Sequence, residues 1–270
     1  MTDFSRIRLI AADMDGTLLN SRHELDSEFN FVYEQLKARE ILFAPASGRQ
    51  LYNLQNKFGD AGRDMIFIAE NGSYVRYKGR DLLVQSLPAD KVHMLISMIR
   101  GLQGVYIILC GKKQAYIEST DPEFMRNVEM YYDKRKIVDD LLKVDDDDFL
   151  KIAICDLNGA EKNSYPKFRH LEGELQVKVS GRIWLDLSHQ LANKGRALQV
   201  VQREFNISPE DTMVFGDYLN DLEMMQQAHY SYAMSNAHPS VKDVARFSAK
   251  SNEENGVGEI LKEVLAAVPV

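Results

Sequence analysis

The sequence predicts an α/β protein: a parallel sheet flanked by helices and interrupted by an inserted α+β unit. Three observations carry that prediction. Short apolar runs alternate with helix-period segments from Leu9 to Ala69, a βαβαβ rhythm whose crossover helices imply parallel strands. From about Leu87 to Ser188 the pattern changes to helices grouped with adjacent antiparallel strand pairs. The first rhythm then returns at Thr212-Met213-Val214-Phe215.

Leu9 to Ala12 form the first strand, which runs directly into Asp13-Met14-Asp15-Gly16-Thr17. Phe29, Val32, Tyr33 and Leu36 recur at helical spacing behind an Asp26-Ser27 N-cap signal. Ile41 to Ala46 is a second strand, and Pro45, lacking an N–H, is expected to stop pairing near its end. A helix over Gln50 to Phe58, stopped by Gly59, leads to the strand Met65 to Ala69. Asn71-Gly72 and Lys78-Gly79 are turn dipeptides that frame short hairpins. The insert reads as a helix over 90–102, strands over 105–110 and 114–118, and a helix after Asp121-Pro122. A strand over 149–155, a helical stretch to Glu172 and a strand pair over 175–180 and 183–188 complete it. Beyond it come a helix from Asn193-Lys194-Gly195 to Phe205, the strand at 212–215, and a helix over 222–228 capped by Asn220-Asp221. A strand over 230–234, a helix over 239–245, a short run over 246–249 and a helix over 257–267 finish the chain.

The 270 residues are 45% hydrophobic and 27% charged, the balance of a globular protein large enough for two modest cores. A net charge of -7 offers no broad attraction to nucleic acid or to an anionic membrane, so neither is expected as a partner. No run has the length needed to span a bilayer, and Met1 to Arg8 lack the pattern of a secretory leader. Cytoplasmic location follows as an expectation, with Cys110 and Cys155 as buried thiols. The six histidines lack paired metal-binding spacing, which argues against zinc, and Asp145 to Asp148 read as a solvated loop. Tyr106, Tyr116, Arg182 and Trp184 lie in the insert, where they are read either as substrate contacts or, as alternation along the strands favours, as core or exposed positions.

The chemistry concentrates where strands end. Asp13 and Asp15 lie near one face if the backbone stays extended, and Gly16 lets the chain turn away. Two carboxylates that close repel, so the pattern calls for a divalent cation with hard oxygen ligands, Mg2+ suiting best, or for a shared proton. Open α/β sheets bind ligands beyond the carboxyl ends of their strands, the edge where Asp13, Asp15, Ser47, Glu70, Asn71 and Asp217 fall.

Asp13-Met14-Asp15-Gly16-Thr17, Ser47-Gly48-Arg49, Lys194-Gly195 and Gly216-Asp217 followed by Asn220-Asp221 are, in order, motifs that resemble those of the haloacid dehalogenase (HAD) superfamily. The long insert between the second and third motifs is similar to that of the Cof-type (class IIB) sugar phosphatases. The resemblance implies a Rossmann-like HAD core with a parallel sheet (residues 1–86 and 189–270) and an inserted α+β cap of the C2 type, C2B (87–188). It implies a Mg2+-dependent phosphatase acting on a small phosphorylated metabolite, as a monomer or weak homo-oligomer. Asp13 would be the nucleophile, forming an aspartyl phosphate, and Asp15 the acid/base, beginning protonated with a raised pKa. Asp13, the Asp15 carbonyl and Asp217 would bind the metal, with Asp221 supporting it. Met14 N–H, Ser47, Gly48 N–H, Lys194 and Asn220 would hold the phosphoryl group. Arg49 is read either as a substrate-side contact or as an ion pair shaping the loop, and Asn71 as substrate-side. Tyr218-Leu219 depart from the small or polar residues common at those positions and make the neighbouring wall bulkier. Two alternatives remain at this stage: a phosphotransferase or phosphomutase on the same scaffold, and a metabolite-binding regulator without catalysis.

Overall fold

The computed structural model describes residues 3–269. It opens with β1 (Leu9–Asp13), α1 (Phe29–Ala38), β2 (Leu42–Ala46), α2 (Leu51–Phe58) and β3 (Ile66–Ala69), followed by the hairpin β4 (Tyr74–Tyr77) and β5 (Arg80–Val84). Then come α3 (Ala89–Arg100), β6 (Val105–Gly111), β7 (Ala115–Ile117), α4 (Pro122–Tyr131), β8 (Arg135–Ile137), β9 (Phe149–Asp156), α5 (Tyr165–Phe168), β10 (Leu175–Gly181) and β11 (Trp184–His189). The last stretch holds α6 (Lys194–Glu204), β12 (Thr212–Gly216), α7 (Leu222–Met225), β13 (Tyr230–Met234), α8 (Pro239–Val244), β14 (Phe247–Ala249) and α9 (Gly256–Ala267).

These strands build two sheets. The first has the order β14-β13-β12-β1-β2-β3-β4-β5, parallel from β14 to β3 and antiparallel across β4 and β5. β1 is central and buried at every residue, as a parallel strand covered on both faces must be. The helix α1 buries Phe29, Val32, Tyr33 and Leu36, its i, i+3, i+4, i+7 stripe. Pro45 sits inside β2, which registers with β1 through Ala46 but with β3 only at Ala46↔Ile68.

The second sheet has the order β10-β11-β9-β6-β7-β8, and all its strands lie between Val105 and His189. One face carries Ile107, Leu109, Ile152, Ile154, Leu185 and Leu187 into an apolar cluster with α3. Alternation puts Cys110, Lys151, Ala153, Asp186 and Trp184 on the other face, where α4 covers part of the strands through Phe124 and Val128.

Several expectations at element ends need correction. β8 was not foreseen, because Arg135-Lys136-Ile137 lacks an apolar pattern, and it runs parallel to β7. The N-cap of α1 is Glu28 without a side-chain cap bond; Asp26 instead accepts the Glu28 N–H at 2.9 Å in the preceding turn. The helical stretch to Glu172 contracts to α5 and one tight turn, and α7 ends at Met225. Residues 1–2 and 270, at the limits of the expected core, lie outside the described residues. Among the described residues no helix is long and apolar enough to cross a membrane.

Candidate active site

Because β12, β1, β2 and β3 are parallel neighbours, Asp217, Asp13, Ser47 and Glu70 emerge side by side at one sheet edge. Asp13 accepts a hydrogen bond from Lys194 Nζ, which also donates to Asp221 Oδ1 at 2.7 Å. Lys194 is the first residue of α6, whose N-cap Asn193 accepts the Arg196 N–H at 2.7 Å, and it has 0% side-chain exposure. Asp221 Oδ2 accepts the N–H groups of Asp217 and Tyr218 at 3.0 and 3.1 Å. Asp217 Oδ1 accepts from Thr17 Oγ1 at 2.9 Å. Gly16, at φ 85°, passes so close to Asp217 that a Cβ there would collide with its carboxylate.

Oxygens of Asp13, Asp217 and Asp221 lie within 4.8 Å of one another. Burial pushes Asp13 well above the usual carboxylate range; Lys194 pulls against it, while the charges of Asp221 and Asp217 add to the push. Asp217 is pushed up to about 7 by burial and by Asp221. Burial disfavours the Lys194 ammonium, yet Asp13 and Asp221 hold its pKa above the ordinary lysine value. Three crowded carboxylates thus face one ammonium, an excess of negative charge and hard oxygen donors that fits a small divalent cation.

Asp15 turns away from that cluster. Arg49 grips it with Nε to Oδ2 at 2.7 Å and Nη2 to Oδ1 at 2.5 Å, and His23 Nδ1 lies 2.9 Å from Oδ1. Burial favours its neutral form, but the bonds from Arg49 and His23 outweigh it and hold the carboxyl well below the usual range. The expectation that Asp15 begins protonated is therefore corrected: in this arrangement it is an ionised, charge-paired group. Arg49, with 3% side-chain exposure, also donates to Asn53 Oδ1 at 2.8 Å and to the Met130 carbonyl at 3.2 Å. Its guanidinium carbon stands 4.8 Å from the centre of the Tyr131 ring. Of its two readings, the ion pair is the one the geometry supports, since its donors are engaged within the protein.

A cavity of about 430 Å³ lies over this edge. Asp13, Asp15, Ser47, Gly48, Arg49, Asp217 and Asn220 line it below; Tyr131, Lys151, Arg182, Trp184 and Asp186 line it from the inserted segment. Lys194 and Asp221 are not lining residues, so their contact with the cavity is through Asp13 and Asp217. Met14 buries its side chain in the core, which leaves only its backbone available to a ligand. Asn71 differs from its substrate-side reading. It is buried, at φ 54°, donating to Asp186 and accepting from Asn220 Nδ2 at 3.0 Å, and it does not line the cavity.

A family model for haloacid dehalogenase-like hydrolases matches residues 10–261. The chain belongs to that family. This HAD-like hydrolase is 34% identical over 262 residues, 96% of each chain, to the 5-amino-6-(5-phospho-D-ribitylamino)uracil phosphatase YbjI of Escherichia coli (strain K12). It is 27% identical over 237 residues, 87% of this chain and 86% of the relative, to an HMP-PP phosphatase of Shigella flexneri. Among solved structures, SMU.1108c from Streptococcus mutans UA159 superposes with a TM-score of 0.89 at 29% identity, covering 96% of this chain and 99% of the other. TM0651 from Thermotoga maritima does so at 0.81 and 26%, covering 95% and 97%.

Four participants in the hydrolase's site escaped the sequence reading. Thr17, quoted within the first motif, had no role assigned, and His23 carries no local signal for its contact with Asp15. Lys151 does leave a signal: it is the one charged residue in the apolar run Phe149 to Cys155. Asp186 leaves another, as a carboxylate inside the alternating strand Ile183 to Ser188. Of the two readings given for Trp184 and Arg182, the less favoured one agrees with the structure, since both line the cavity. Tyr106 stacks on Phe124 at 4.6 Å and Tyr116 donates to Asp147 at 2.9 Å, both away from it.

Proposed function

We propose that this HAD-like hydrolase is a Mg2+-dependent phosphatase that cleaves small phosphate monoesters, sugar phosphates foremost, through an aspartyl phosphate on Asp13. In this reading 1–86 with 189–270 form the catalytic domain and 87–188 a cap, and the substrate is a cytoplasmic metabolite. The observation that carries it is Asp13 itself: a strand-end carboxylate facing a cavity lined on its other side by the inserted segment, backed by a buried ammonium and two further carboxylates. The relatives' names specify two different organic phosphates, which supports the class and not one substrate.

Asp13, the Asp15 carbonyl and Asp217 would hold Mg2+, with Asp221 fixing the Asp217 backbone behind them. Bound there, Mg2+ offsets the repulsion between an anionic nucleophile and an anionic phosphate. An Asp13 oxygen attacks phosphorus as the bond to the leaving oxygen breaks; Lys194 orients the carboxylate from beneath. The Ser47 hydroxyl, the Gly48 and Met14 N–H groups and the Asn220 amide donate to the non-bridging oxygens. Asp15, ionised as it stands, takes the proton of the water that hydrolyses the intermediate. To protonate the leaving oxygen beforehand, it must first exchange its Arg49 and His23 contacts for a proton. Arg49 thus sets the starting state of the acid/base.

The test is Asp13→Asn with p-nitrophenyl phosphate and Mg2+. Phosphate release is expected to vanish while the melting curve keeps its cooperativity; retained turnover refutes the covalent route. Release of inorganic phosphate without a sugar acceptor separates hydrolysis from transfer.

A further inference from the structure

The Ser47-Gly48-Arg49 loop is held by its carbonyls, three in succession. The Asn71 N–H donates to the Ser47 carbonyl at 2.9 Å, and the Glu70 N–H to the Arg49 carbonyl at 3.1 Å. Between them, the Gly48 carbonyl accepts from Lys151 Nζ at 2.7 Å. The outer two anchors are backbone groups from the end of β3. The middle one is a side chain from β9, in the other sheet, 103 residues away.

An ammonium has three N–H donors. Lys151 donates to Gly48 O and, at 3.2 Å, to Asp186 Oδ2, and its ammonium forms an ion pair with Glu70 Oε2 at 3.1 Å; its side chain is 2% exposed. Two hydrogen bonds and an ion pair tie the ammonium to the protein, although the residue lines the cavity. Its influence has to pass through what it holds. The Gly48 carbonyl and the Arg49 N–H belong to one planar trans peptide and point in opposite directions, so fixing one aims the other. That Arg49 N–H donates to Ser47 Oγ at 3.1 Å. A hydroxyl that accepts there keeps its hydrogen free to donate elsewhere.

We infer that Lys151 is a positioning residue: from the inserted sheet it sets the Gly48–Arg49 peptide and thereby aims the Ser47 hydroxyl at the phosphoryl group. The inference rests on the proposed phosphate-binding role of Ser47. It makes completion of the phosphate site depend on seating of the insert over the core. The positive charge of Lys151 also holds two buried carboxylates, Glu70 from one unit and Asp186 from the other.

The experiment is a double-mutant cycle with Lys151→Met, Ser47→Ala and both together, read out as the inhibition constant of orthovanadate against p-nitrophenyl phosphate. Each single substitution is expected to weaken vanadate about tenfold, the worth of one hydrogen bond to a charged group. The double variant is expected to be no weaker than Ser47→Ala, because both remove the same contact. Lys151→Arg, which keeps the charge and donors, recovers part of the loss. Unchanged vanadate inhibition in Lys151→Met, or losses that multiply in the double variant, overturns the inference.

Because Lys151→Met leaves Glu70 and Asp186 without their cation, Lys151→Met/Glu70→Gln is prepared in parallel. If it too fails to fold, Lys151 is a stability residue and the positioning role is wrong. Wild-type protein that turns over no phosphate ester signals failure of the phosphatase reading. Active, vanadate-sensitive wild type with an additive cycle signals failure of this inference alone.

Discussion

Replacing Lys194 by Met removes the single ammonium among Asp13, Asp217 and Asp221 while keeping a side chain of similar length. Lys194 is fully buried, so no water takes over its charge, and breaking a buried pair by deleting one partner costs about 3–5 kcal/mol. Typical total stability is about 5–15 kcal/mol, so the variant is expected to fold. At roughly 2–4 °C per kcal/mol, the metal-free melting temperature should fall by about 6–20 °C. The carboxylates left behind are neutralised by protons or by a divalent cation, so at about pH 8, where protons are scarce, Mg2+ should raise the melting temperature more in the variant than in the wild type. Thermal unfolding followed by circular dichroism, in chelator and in Mg2+, measures both differences. Turnover should drop by about 100-fold or more, as when a preorganised electrostatic group is deleted. A variant as stable as wild type in chelator, or stabilised equally by Mg2+, would refute the claim that Lys194 balances the cluster.

Gly16→Ala places a Cβ against the Asp217 carboxylate at a φ of 85°, costing about 1–2 kcal/mol of backbone strain besides the collision. It should keep the fold and raise the Mg2+ concentration needed for half-maximal turnover; an unshifted Mg2+ titration contradicts the role of that close approach. Arg49→Met removes the bonds that keep Asp15 ionised, so the Asp15 pKa rises; because kcat/KM covers the step in which protonated Asp15 delivers its proton to the leaving oxygen, the alkaline limb of that profile moves to higher pH. An unmoved limb removes Asp15 from the rate law. Asp13 and Asp217 have raised pKa values, so between the ordinary carboxylate range and about pH 7 the metal-free fold binds more protons than the unfolded chain. Its stability therefore falls as pH rises through that window. Mg2+ competes with those protons, and the gain in melting temperature on adding it should grow from about pH 5 to about pH 8. A gain independent of pH would show that these carboxylates do not take the metal.

The core sheet was legible because fully buried parallel strands read as unbroken apolar runs, and Leu9 to Ala12 and Met213 to Phe215 are such runs. The strand β8 was illegible for the opposite reason: Arg135 and Lys136 lie at an edge, held by backbone pairing to Ala115 and Tyr116 and by no apolar pattern. The charged residues of the site divide in the same way. Asp13, Ser47, Lys194 and Asp217 stand at the ends of elements, where position along the chain already places them at the sheet edge. Lys151 and Asp186 stand inside strands, where a charge is tolerated only because a partner waits across the fold.

The sequence by itself determined which residues reach the carboxyl edge of the parallel sheet, since strand ends and the turns after each apolar run depend on local pattern. Only the tertiary structure decided what those residues are once there. Asp15 is ionised because Arg49, 34 positions on, closes a bidentate pair with it; Asp13 is raised because burial and two other carboxylates surround it. Asn71 joins the two units because Asp186 lies 115 positions away in sequence and within hydrogen-bond reach in space. Charge state and donor direction depend on desolvation and on neighbours a few ångströms distant, and in this chain those neighbours come from before, within and beyond the insertion.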